Sequence, residues 1–327
     1  MKTNSVIKGY LFLAVSFISC LLSCLSPALL FVTAIITISF FVLACPFVHK
    51  PFLVIVPVLS VAFSLFSGNN YYITFLIFSI FLTAGLIYFL ITKGKSVKEI
   101  FFASTVFEAI CASLTLLIFI YMRGGSLSAN AIIHVFSPLT TPLRAYFDNI
   151  IQFYEVLSPE YAGQISEIIN QSFTVIEATL QNAIFSIIIS FVCYILFFAL
   201  FISRNLLRLS GFDVSKMGRF NEFSLERSSA VVMIICLFGQ MLFENSLGIA
   251  FYNLYTVLST IFIFVGIGVI AFFMNKSNIS LLAQRILLFL LVTICILPLG
   301  VSSLIGALGV VDVFFGIRKK IANKKKS

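Results

Sequence analysis

The stretch from Leu281 to Lys320 constrains this chain most. No charged residue lies between Ile286 and Val311; Asp312 follows, and then Arg318, Lys319 and Lys320. A bilayer core is crossed by about 20 apolar residues, so Ile286 to Phe315 is too long for one untilted span. Pro298 and Gly300 stand in the middle of the run, where a helix kinks or ends. The stretch therefore predicts two short membrane helices, Leu282–Leu297 and Val301–Ile317, joined at Pro298-Leu299-Gly300.

The rest of the chain is of the same kind. It is 61% hydrophobic and 10% charged, where a soluble domain carries about 25% charged residues. It has 39 Phe and no Trp, so the aromatic belt at the membrane surfaces falls to tyrosines such as Tyr71, Tyr72, Tyr121 and Tyr252. The net charge of +9 points to lipid rather than nucleic acid, because six of the basic residues lie in the last ten positions. A basic cluster beside a membrane helix attracts anionic lipid and sets orientation. Seven cysteines fall at 20, 24, 45, 111, 193, 236 and 295. All sit in apolar runs without C-x-x-C spacing, which reads as thiols packed as small apolar groups. Cys20 and Cys24 share a helix face, but two thiols alone make no metal site. Lys2 and Lys8 precede the first apolar run, and Leu21-Leu22-Ser23-Cys24 loosely resembles a lipoprotein cleavage box. A second apolar span follows instead of a polar start, so the expectation is an uncleaved first helix.

Taken in order, Ser26-Pro27 divides the first run into Tyr10–Leu25 and Pro27–Cys45. Pro46, His49, Lys50 and Pro51 precede Phe52–Phe66, and Ser67-Gly68-Asn69-Asn70 reads as a turn. Tyr71–Thr92 and Ile100–Tyr121 are the fourth and fifth spans. The long polar insertion, Arg123 to Asn182, is acidic. Thr141-Pro142 and Ser158-Pro159 each set a capping hydroxyl before a proline suited to the first helical position. Apolar residues then recur every three or four, as at Tyr146, Ile150, Phe153 and Leu157, and at Ile165, Ile169, Phe173, Ile176 and Leu180. Two amphipathic helices are expected, Leu143–Leu157 and Pro159–Leu180, the second running on into a sixth span, Ala183–Ser203. A basic loop, 204–227, leads to Ser229–Phe243, a turn at Glu244-Asn245-Ser246, and Tyr252–Met274.

These elements give an all-α polytopic transmembrane bundle of about ten spans (8–10), with an external amphipathic helical pair. The parts are 1–122 and 183–317 in the membrane, about five spans each, 123–182 outside, and a basic tail over 318–327. With the N-terminus inside and ten spans, the outer face carries only Arg123 and Arg144 of the 21 basic residues. That distribution obeys the positive-inside rule. It predicts a bacterial cytoplasmic (inner) membrane protein with both termini in the cytoplasm.

The closing residues Leu308-Gly309-Val310-Val311-Asp312, then Phe314, then Arg318-Lys319-Lys320, resemble the tail of the bacterial YybS-like family of membrane proteins. That tail has a Gly, an Asp three residues later, an aromatic and a basic triplet. The layout before it is similar too: paired N-terminal spans, an external polar insertion, and Asn205-Leu206-Leu207-Arg208 closing a span ahead of a basic loop. Gly316 departs from the polar residue expected there, which argues against a specific role for that turn. The family carries no established activity. Its N-terminal half is similar in layout to the substrate-binding subunits of energy-coupling-factor vitamin transporters, which implies at most substrate capture, by analogy of layout alone.

Glu108 is the sharpest single residue, flanked by Val106, Phe107, Ala109 and Ile110 in the fifth span. An acid at that depth costs a few kcal/mol and must face protein or a water cavity. It is either a ligand or proton site or a hydrogen-bonded helix contact, with Ser104 one turn away as the nearby partner. Asp312 reads as an interfacial anchor pairing with the basic tail or the preceding loop, ahead of a catalytic or binding role, with Lys319 two turns on along the same face and Arg318 pointing elsewhere on an ideal helix. Arg318, Lys319 and Lys320 anchor the tail to anionic lipid. His49 and His134 have no partner at ligand spacing, so no metal site is expected. No phosphate loop, zinc-protease or serine-hydrolase motif is present, so neither a cofactor nor a catalytic residue is assigned, and the chain is not expected to be an enzyme. Three classes stay open: a substrate-capturing transport subunit, an envelope scaffold with a membrane-protein partner, and, least supported, an intramembrane enzyme.

Overall fold

The computed structural model describes residues 2–26, 29–66, 71–218, 220–277 and 301–323, and within 280–291 residues 280, 283–284, 286–287 and 290–291. Every regular element among them is helical: α1 (Lys2–Leu25), α2 (Leu30–Ala44), α3 (Lys50–Phe66), α4 (Tyr71–Thr92), α5 (Val97–Gly124), α6 (Ala129–Leu157), α7 (Pro159–Leu209), α8 (Arg227–Leu242), α9 (Ser246–Met274), α10 (Val301–Phe315) and α11 (Ile317–Asn323). Two short 3-10 turns, Ser215–Met217 and Phe220–Glu222, lie between α7 and α8. The expected turn at 67–70, the break at Pro298-Leu299-Gly300, most of Leu282–Leu297, Arg285, Cys295 and the last lysines lie outside the described residues.

On α1 and α3 the face turned away from the bundle is apolar, as lipid requires. On α3 the buried side chains are Ser60 and Ser64, while Val54, Val58, Leu59 and Phe66 are exposed. On α1, Ser16, Ser19, Cys20, Ser23 and Cys24 are buried, and Ile7, Leu11, Ile18, Leu22 and Leu25 face out. Hydrocarbon solvates leucine as well as the core does, so helices meet through small and hydroxyl residues that satisfy one another. Ser16 Oγ donates to the Thr37 carbonyl at 3.0 Å and Ser19 Oγ to the Thr33 carbonyl at 3.0 Å, pinning α1 to α2. Ser64 and Thr74 join α3 to α4 at 2.9 Å.

Five helical stretches are long and apolar enough to cross a membrane: Val6–Leu25, Ile73–Thr92, Val97–Gly124, Pro159–Leu209 and Ser246–Met274. Ser215–Glu222 with Arg227–Leu242, bent by 43° at their break, would make a sixth. Three shorter apolar helices, Leu30–Ala44, Lys50–Phe66 and Ser302–Phe315, fall below that length. At 1.5 Å per residue the 15 residues of α2 rise about 22 Å, short of a core of about 30 Å.

α7 is the central strut, packing on α2, α5, α6 and α9. Its 51 residues extend about 76 Å, more than twice the bilayer core, so a single crossing cannot hold all of it; its first part packs beside α6. The start at Pro159 and the uninterrupted run into the sixth span match the sequence expectation, although Ser158 makes no side-chain cap bond. The other helix start does not. α6 begins at Ala129, with Ser128 Oγ accepting the Ala131 N–H, and runs through Thr141-Pro142. Ala131 and Val135 pack with Leu116, Ile120 and Ile184, and that contact holds helix N-terminal to the proline. Pro142 is exposed, and the helix continues past it despite the one backbone bond a proline cannot make. Between α6 and α7 the Arg144 guanidinium reaches Asn170 Oδ1 at 3.3 Å and lies over the Phe173 ring.

At the opposite end from the α6–α7 hairpin, an aromatic hub ties three helices and the loop together. Phe197 of α7 stacks on Phe264 of α9 with centroids 4.2 Å apart, and Phe101 of α5 meets Phe197, Phe264 and Phe223 edge-on. Asp213 opens the first 3-10 turn of that loop by accepting the Ser215 N–H at 2.9 Å, a bond that holds its carboxyl below the usual range.

Candidate functional site

α5 carries Glu108 to the middle of the bundle. The helix starts at a capping box in which Ser96 Oγ accepts the Glu99 N–H and Glu99 accepts the Ser96 N–H. Eleven residues on, about 16 Å along the axis, Glu108 is only 5% exposed. Ser79 Oγ of α4 lies 2.9 Å from its Oε1, and Thr83 Oγ1 lies 2.5 Å from its Oε2. Ser79 and Thr83 are one turn apart, so a single face of α4 offers a hydroxyl to each carboxyl oxygen. Ser104 is not the partner. Its hydroxyl and that of Thr105, both buried, make no hydrogen bond among the described residues.

A second buried polar cluster closes the C-terminal half. α10 ends at Gly316, whose φ of +61° is the left-handed conformation that glycine adopts without strain. That reversal starts α11 in a new direction, so Arg318 rather than Lys319 meets Asp312. Arg318 Nη2 lies 2.7 Å and Nε 2.8 Å from Asp312 Oδ2, and the Arg318 N–H donates to Oδ1 at 3.0 Å. The same guanidinium donates to the Asn221 and Phe223 carbonyls at 2.6 and 3.0 Å. Gly316, which broke the expected pattern, is thus what makes the pair possible. Asp312 and Arg318 are buried; Lys319 and Lys320 are exposed. Gly268 gives the arginine room, since a Cβ there would sit 3.2 Å from Nη1.

Buried charge in this cluster is paired and hydrogen-bonded on both sides, the arrangement of a structural clasp. Glu108 differs. The ion pairs among the described residues are Lys95–Glu99, Lys98–Glu226 and Arg318–Asp312, and none includes it. Among the described residues no group of three or more His, Cys, Asp or Glu side chains could hold a metal ion. Cys20, Cys24, Cys45, Cys193 and Cys236 are buried. An open groove of about 340 Å³ between α1 and α2, lined by Val15, Ile18, Leu22, Val32 and Ile36, is apolar and suits a lipid chain.

Ser79 and Thr83 were the residues that sequence reasoning missed. Their signal is a Ser and a Thr four apart in an otherwise aliphatic helix, which becomes legible only once α4 and α5 are known to be neighbours.

Neither the curated proteins nor the solved structures include a match to this chain. A family model described as predicted membrane protein (DUF2232) matches residues 14–313, and the chain belongs to that family of membrane proteins.

Proposed function

We propose that the protein is a substrate-capturing transport subunit of the bacterial cytoplasmic membrane, with Glu108 as its working group. The observation that carries this reading is a carboxyl buried at mid-span, without a cationic partner among the described residues, held by two hydroxyls of the neighbouring helix. An intramembrane acid is costly and is kept where it binds or conducts something. About ten spans, both termini cytoplasmic, belong to the same reading: the five long helices cross, with only the second half of α7 spanning, the short helices α2, α3, α8 and α10 cross with local thinning or flanking residues, and the expected span Leu282–Leu297 is the tenth. The tail pattern resembling the YybS-like family and the layout similar to energy-coupling-factor subunits agree with it, and the basic tail then sits on anionic lipid.

The test is complementation. In a deletion strain, Glu108→Gln should be made and folded at wild-type level yet fail to restore the transport or growth phenotype, because the amide keeps size but cannot ionise. Native mass spectrometry of the purified protein should find a small molecule. A fully complementing Glu108→Gln variant sinks the transport reading.

One observation favours a second reading, a non-enzymatic envelope scaffold or assembly partner. The tip of the α6–α7 hairpin exposes Phe153, Tyr154, Val156, Leu157 and Tyr161, a patch suited to a membrane-protein partner. Partner proteins that co-purify and are lost on substituting these residues, with no bound small molecule, would favour it.

A further inference from the structure

We infer that the species bound at Glu108 is a proton, carried on Oε1 and held in an ordered hydrogen-bond chain that runs from Thr83 through Glu108 and Ser79 to the Leu76 carbonyl. This deepens the transport reading by naming the ion at its site.

The inference comes from counting protons against contacts. Ser79 Oγ lies 2.8 Å from the Leu76 carbonyl and 2.9 Å from Glu108 Oε1, and Thr83 Oγ1 lies 2.5 Å from Oε2. Each hydroxyl has one proton to give. With the carboxyl ionised, three short contacts between oxygens share two protons, and one of the two contacts of Ser79 is left without one. A third proton completes the set. Glu108 Oε1–H donates to Ser79 Oγ, Ser79 donates to Leu76, and Thr83 donates to Oε2, so every oxygen pair has one donor and one acceptor.

Charge leads to the same place. A carboxylate in a low-dielectric interior needs a counter-charge, and no cation accompanies this one among the described residues. Its nearest titratable neighbour along α5 is Cys111, three residues on, and among the described residues α4 offers it the two hydroxyls. A bound proton neutralises the group without the several oxygen ligands a metal cation requires. Ser104 and Thr105, buried and without hydrogen bonds among the described residues, lie one turn before Glu108 on the same side of α5. They are the next hydroxyls that a departing proton would meet.

The experiment is infrared spectroscopy of the purified full chain in lipid at neutral pH. The wild type should give a carbonyl band of a protonated carboxylic acid that shifts in heavy water, and Glu108→Gln should lack it. Thr83→Val should move that band to higher frequency, because the carbonyl oxygen loses its donor; that variant keeps the test open if Glu108→Gln fails to fold. A folded wild type without the band, or a band untouched by both substitutions, overturns the proton. The two claims fail separately. A band present with Glu108→Gln still complementing keeps the proton and removes transport, whereas no band with Glu108→Gln inactive keeps a functional Glu108 and removes the proton.

Discussion

Arg318 is a buried cation held between the end of α10 and the loop before α8. Its guanidinium spans a carboxylate and two carbonyls that belong to the loop before α8. Truncation to Ala would leave Asp312 buried and unpaired, a loss of about 3–5 kcal/mol. Arg318→Lys should recover little of it, since an ammonium cannot make the two-pronged contact and also reach both carbonyls. Thermal unfolding in detergent and protease cutting within 210–226 should both report the change. Glu108 should respond differently. Glu108→Leu strands the Thr83 hydroxyl, while Ser79 keeps the Leu76 carbonyl, and should cost about 1–3 kcal/mol, whereas Glu108→Gln should stay near wild-type stability. Equal destabilisation by Leu and Gln would show that the charge itself is structural.

Residue identity was legible in the sequence further than residue pairing. Glu108 and Asp312 stand out because acids are rare in apolar runs. Their partners do not stand out. An ideal helix through 301–320 puts Lys319 below Asp312, and only the left-handed Gly316 turns Arg318 into that place. Ser79 and Thr83 lie 29 and 25 residues from Glu108, and nothing in local spacing brings them there.

At the scale of elements, sequence and structure agree where apolar runs end at polar turns and part at Thr141-Pro142, taken as a helix start. Tyr71–Thr92 is the same helix in both, and Pro159 opens α7 as its position suggests. Ser96 and Glu99 form a capping box whose Ser-x-x-Glu spacing can be read directly, yet the span was expected to begin only at Ile100. Pro142 is inside α6 because tertiary contacts at Ala131 and Val135 outweigh one lost backbone bond. Spin labels placed singly along 129–157 should therefore show an unbroken helical period in water accessibility on both sides of Pro142; loss of the period before residue 141 would restore the shorter helix. The aromatic hub can be tested at Phe101, which is fully buried among Phe197, Phe223 and Phe264. Phe101→Ala should cost about 3–5 kcal/mol through the cavity it leaves, and Phe101→Leu clearly less. Close approach of α9 and α10 depends on Gly266 and Gly309, where a Cβ would overlap the Ile305 and Phe262 carbonyls.

For the whole molecule, the membrane itself explains the order of parts. Apolar side chains cover the outside, and hydroxyls bridge α1 to α2 and α3 to α4. The aromatic hub and the Asp312–Arg318 clasp gather at the end that holds Lys93, Lys95, Lys98 and the 210–226 loop. α7 leaves that end, passes Cys193 and Ala183, and continues into the acidic hairpin. The central claim is that α7 joins two sides of a bilayer, with the basic end in the cytoplasm and the hairpin outside. Reporter fusions at Ser327 and at Ser158 test it most directly. A cytoplasmic reporter active at Ser327 and silent at Ser158, with the reverse for a reporter that works only after export, is the predicted result. An exported C-terminus, or both sites on the same side, would contradict it.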